Sequence, residues 1–125
     1  MKNLNSFLHP ERKPNAVVRL HGFSEPFELK VLSHEDDRTV NEKYQNRSAK
    51  DRLDAYVAYA LVNPDLRDAG LLDELQKRDG RPYTDPLDVL HALFTSAEVN
   101  TLFNEYSKLS DLTSEFAQKV EEAKN

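Results

Sequence analysis

The chain has 125 residues, 17 Lys and Arg against 22 Asp and Glu, and a formal net charge of −5; 38% of it is hydrophobic and it has no Cys. That length fits one domain, and the missing Cys excludes a disulfide scaffold, a thiolate metal site and a thiol nucleophile. The negative balance argues against duplex nucleic acid, whose phosphates need concentrated Lys and Arg, and the modest apolar share predicts a modest core that leaves part of the chain leaning on a partner.

Residues 1–15 read as an arm. Leu4, Phe7 and Leu8 are its large apolar groups, and Pro10 and Pro14 interrupt helix. There is no apolar stretch of signal-peptide type, and the longest apolar run, Ala55 to Val62, is far short of a membrane span. A cytoplasmic address is expected. Residues 16–32 are the β segment, a two-stranded hairpin. In its second half Phe27, Leu29 and Val31 alternate with Glu28 and Lys30, while Gly22 and Pro26 bracket the turn. A lone hairpin is marginal in water, so its apolar face must rest on helices or its edge must pair elsewhere.

From residue 33 the pattern turns helical. Ser33-His-Glu-Asp36 opens a polar helix toward Tyr44, and Ser48-Ala-Lys-Asp51 opens a second. The second is apolar nearly all round from Leu53 to Val62, which marks it as the buried central helix; Asn63-Pro64 stops it. Leu71, Leu72 and Leu75 predict a short helix, followed by a turn-rich loop from Lys77. Asp85-Pro86 restarts the helix, with Asp as cap and Pro at the first position. Thr95-Ser-Ala-Glu98 is a capping box for the last helix, whose stripe runs Val99, Leu102, Phe103, Tyr106, Leu109 and on to Leu112, Phe116 and Val120. The expected fold is mostly helical α+β: a single domain, 1–125, with an arm (1–15), a hairpin (16–32) packed on about five helices, a helical core (33–109) and a C-terminal helix (110–125) with freedom to move.

No catalytic, metal or cofactor site can be written from these residues. None of the four His, at 9, 21, 34 and 91, pairs with another at ligand spacing. His91 reads as a core-edge or surface side chain. Asp65, Asp68 and Asp73 do not match a calcium loop, and the three Gly cannot form a phosphate loop. An enzyme is therefore not expected. What remains is protein-contact surface: the stripe Leu112, Phe116 and Val120 first, then the hairpin edge at Val17 and Arg19.

Taken in series, the segments resemble the phage tail assembly chaperones of the XkdN-like type. Asn3-Leu-Asn-Ser-Phe7-Leu8 is similar to that family's opening helix, and Val17 to Leu32 to its hairpin. Tyr56 to Leu66, ending Pro64-Asp-Leu66, is similar to its helix and Pro-Asp-Leu element, and Leu87 to Leu109 to its pair of leucine-rich helices. The resemblance implies a non-catalytic protein of the host cytoplasm, absent from the mature virion. It would bind the tape-measure protein and recruit tail-tube subunits, perform no nucleic-acid or membrane function and need no cofactor; self-association into a homo-oligomer is compatible with it. The alternative is a small helical regulatory or DNA-associated protein of phage or plasmid origin.

Overall fold

A computed structural model describes residues 4–10 and 14–110. Among them lie α1 (Asn5–Leu8), β1 (Ala16–Val18), β2 (Phe27–Leu29), α2 (His34–Lys43), α3 (Ala49–Ala60), β3 (Leu61–Asn63), α4 (Ala69–Asp79), α5 (Pro86–Leu93) and α6 (Ser96–Ser110). The fold is mostly helical α+β, as the sequence predicts. Its sheet has one strand more than the expected hairpin.

Local chemistry sets the helix starts. Ser33 Oγ accepts from the Asp36 N–H at 3.1 Å, and Ser48 Oγ from the Asp51 N–H at 3.1 Å. Asp68 and Asp85 cap α4 and α5 through the N–H groups of Leu71 and Leu87. At α6 the box is reciprocal: the Glu98 N–H donates to Thr95 Oγ1 at 3.2 Å and the Thr95 N–H to Glu98 Oε1 at 2.8 Å. Each cap satisfies an N–H that the first helical turn leaves unpaired, for about 1 kcal/mol.

Helix α4 is longer than expected. Leu75 anchors it in the core, and Lys77 and Arg78 fall in its last turn rather than in a loop, where cations complement the helix dipole. It ends at Gly80, whose φ of 73° is the left-handed geometry that a side chain resists.

Helix α3 is the centre. Every residue from Leu53 to Ala60 is buried, and it packs on α2, α5 and α6. It stops at Ala60, two residues before the expected end. Leu61 turns extended, and Leu61–Asn63 pairs antiparallel with β2 to give the order β1-β2-β3. The Lys30 N–H also donates to the Ala60 carbonyl at 2.9 Å. Backbone groups that would continue the helix therefore serve the sheet, which gives the marginal hairpin its third strand. In β1 and the residues after it, burial alternates: Val18 and Leu20 face the core, Val17 and Arg19 face out. Helix α6 covers β1 from the core side. One continuous apolar cluster joins Val18, Leu29, Val57, Leu66, Leu90 and Leu102. Helix α1 contributes nothing to it, having no buried residue.

Candidate protein-binding surface

The turn of the β1–β2 hairpin carries an aromatic corner. Gly22, at φ 93°, reverses the chain, and the Phe23 N–H closes the turn on the Leu20 carbonyl at 3.2 Å. This aims Phe23 at Phe27, with ring centroids 5.0 Å apart and edge to face. Phe94 completes the set, 5.4 Å from Phe27 and 5.7 Å from Phe23. Phe94 reaches it because α5 ends there: its backbone is extended while its N–H still bonds to the Leu90 carbonyl. Beside the corner runs a groove of about 340 Å³, lined by Phe23, Pro26, Phe27, Pro64, Leu93 and Phe94 among others. Phe27 and Phe94 are buried, but Phe23 stays 39% exposed. An apolar concavity with an exposed aromatic at its lip suits an apolar side chain from elsewhere.

A second cavity, of about 310 Å³, is polar and lies between α3, α5 and the start of α6. At its base is Asp54, only 6% exposed. A buried carboxylate is costly unless paired. Lys50 Nζ donates to Asp54 Oδ1 at 2.8 Å, and His91 Nε2 lies 3.0 Å from Asp54 Oδ2. Lys50 also reaches Asn100 Oδ1 at 3.2 Å, which ties α3 to α6. Ligand atoms of Asp51, Asp54 and His91 fall within 4.8 Å of one another, a donor set that suits a divalent cation. The cationic partners present are protein groups: Lys50 on Asp54, and Arg47 on Asp51 at 3.0 Å. What the geometry does is neutralise one buried acid. Ser96 lines the same cavity, but the contact His91 makes through Nε2 goes to Asp54, not to a nucleophile.

The loop between α4 and α5 is held by charge. Arg78 forks onto Asp79 at 2.7 and 2.8 Å, and the Tyr83 hydroxyl donates to Asp79 at 2.5 Å. The guanidinium first, then the phenol, hold the Asp79 carboxyl down at about 2. Arg81 pairs with Asp88 at 3.0 Å, lowering that carboxyl too, and stacks over the Tyr83 ring at 3.9 Å. Tyr44 donates its hydroxyl to Asp85; burial and that carboxylate raise its pKa well above the ordinary phenol range. Burial likewise pushes Tyr106 up to about 12. These groups fix structure, since each answers to a partner inside the chain.

Of the residues singled out from sequence, Val17 is 66% exposed on the edge strand β1, and Arg19 is exposed just beyond it. They share the hairpin's outer side. Leu112, Phe116 and Val120 lie outside the described residues. His91 is surface-accessible, as expected, but sequence reading missed its pairing with Asp54 across 37 positions. It also missed the Phe23–Phe27–Phe94 corner. The one signal available was a Phe inside the Gly22-to-Pro26 turn and another just after it, and nothing local ties Phe94 to them.

Comparison with known proteins gives a match along nearly the whole chain. The family model described as Phage XkdN-like tail assembly chaperone protein covers residues 4–124. No curated protein and no solved structure matches.

Proposed function

This chain belongs to the family of phage XkdN-like tail assembly chaperones, and from that membership we propose that it binds the tape-measure protein and recruits tail-tube subunits while the tail is built. The observation that carries the reading is the span of the match, residues 4–124, which takes in the arm, the sheet, the helical body and the C-terminal stripe. The physics is consistent with it. A long helical protein exposes apolar stripes before it is enclosed, and such surfaces aggregate. A negatively charged companion with apolar contact faces can mask them and stay dispersed.

The role is non-catalytic. Asp54 is taken up by Lys50 and His91, a structural duty for the buried acid and the imidazole that supports this reading. The tail-protein contacts are the stripe Leu112, Phe116 and Val120, with Val17 and Arg19 on the sheet edge second. The chain acts in the host cytoplasm and is left out of the finished virion. Among the described residues no helix is long and apolar enough to cross a membrane.

Coexpression with the same phage's tape-measure protein, followed by size exclusion, tests this. The expected result is a complex that keeps the large protein in solution. Phe116→Asp should abolish that complex with an unchanged circular dichroism spectrum. Unaltered precipitation of the tape measure, or full capture by the Phe116→Asp chain, would overturn the assignment.

A further inference from the structure

We propose that Asp51 and Asp54 on α3 and His91 on α5 hold a divalent transition-metal ion, of the zinc and cobalt class, that staples the two helices together. The three side chains come to one place by two routes. Asp51 and Asp54 stand three positions apart on one helix, so both carboxylates lie on the same face. His91 is delivered by α5, which packs on α3. One donor atom from each falls within 4.8 Å of the other two, and His91 Nε2 lies 3.0 Å from Asp54 Oδ2. Two donors each about 2.1 Å from one ion, at right angles about it, stand about 3.0 Å apart, so that spacing is already the spacing of adjacent ligands.

Asp54 is what points beyond an ion pair. It is the one buried charged side chain among the described residues. A carboxylate at that depth costs stability that an apolar residue of similar size would not, so packing alone gives no reason for it. Its partners Lys50 and His91 are 43% and 40% exposed, side chains that water screens and that have room to give way. The neighbouring charges leave donors over. Lys50 hydrogen-bonds Asp54 through Oδ1, and Arg47 hydrogen-bonds Asp51 through Oδ2, so each carboxylate keeps one oxygen clear of its cation. All three residues line the polar cavity of about 310 Å³, which has space for the waters that would complete the coordination. One imidazole and two carboxylates suit zinc, cobalt or nickel, whereas magnesium and calcium take oxygen ligands. The ion is a structural brace, and the tail-protein reading stands or falls without it.

Calorimetric titration of zinc chloride into the untagged full chain, stripped beforehand with a chelator, should show a single ion bound per chain in the micromolar range. The same addition should raise the thermal unfolding midpoint, because the ion binds the folded arrangement of α3 and α5. A large excess of magnesium or calcium should not displace it. His91→Ala, Asp54→Asn and Asp51→Asn should each weaken binding at least about tenfold. Asp51→Asn carries the test should a change at the buried Asp54 disturb the fold, since the Asp51 side chain is partly exposed. In an NMR correlation of the four imidazoles, zinc should shift His91 and leave His9, His21 and His34 in place. No binding below about 1 mM zinc, or binding that survives both Asp51→Asn and His91→Ala, would overturn the proposal. So would shifts at His9, His21 or His34 in place of His91, the mark of an adventitious ion only.

Discussion

Helix α3 and the aromatic corner at the hairpin turn are both apolar, and they differ in what covers them. From Leu53 to Ala60 every residue of α3 is buried, and the helix packs on α2, α5 and α6. At the corner Phe27 and Phe94 are enclosed, but Phe23 opens onto solvent beside a groove. Apolar content along a sequence therefore states how much surface wants cover and leaves open who supplies it. The body satisfies α3 from within. Phe23 at the corner and Leu4, Phe7 and Leu8 on α1 stay exposed.

Paired truncations test that contrast most strongly. Leu102→Ala, at a fully buried position on α6, should lower the unfolding free energy in urea by about 2–5 kcal/mol. Phe23→Ser should lower it by about 1 kcal/mol, since its ring contacts only one side. Equal losses would make the corner part of the core.

Titration gives a smaller effect and sharpens the same contrast. Tyr106 is buried and its pKa is raised from 10.0 to about 12, so the folded state favours the neutral phenol. That contribution is fully present below pH about 10 and is lost as pH rises through about 12. Asp79, in the loop, runs the other way: its pKa is lowered from 3.8 to about 2, so its contribution is present above pH about 4 and is lost as pH falls through about 2. Urea midpoints should therefore fall at both extremes, with the alkaline fall reduced in Tyr106→Phe and the smaller acid fall reduced in Asp79→Asn. A midpoint flat from pH 9 to 12 would contradict the burial assigned to Tyr106.

What the sequence made legible was local. Ser33, Ser48, Asp85 and Thr95 announce helix starts because a cap and the N–H it serves lie within three positions. The buried α3 was legible because the apolar run from Ala55, which supplies the last six residues of the helix, leaves it no wet face. What stayed hidden was long-range. Leu61–Asn63 carries no strand signal of its own and becomes a strand only because β2, some 30 positions earlier, offers an edge. Lys77 to Asp79 look like a loop until Leu75 is seen to anchor their helix in the core. The Asp54–His91 pair and the meeting of Phe94 with Phe23 are likewise products of folding. The Val17 and Arg19 edge was visible through simple alternation. The stripe at Leu112, Phe116 and Val120 lies outside the described residues.

The central claim is that the molecule acts by occupancy, covering apolar helix on a tail protein with its own apolar faces and changing no covalent bond. Light scattering of purified tape-measure protein, titrated with this chain in the absence of nucleotide, tests it directly. Scattering should decline in proportion to the chain added and level off at a fixed stoichiometric ratio. Suppression complete at a small fraction of that ratio, or scattering unmoved at a large excess, would contradict it.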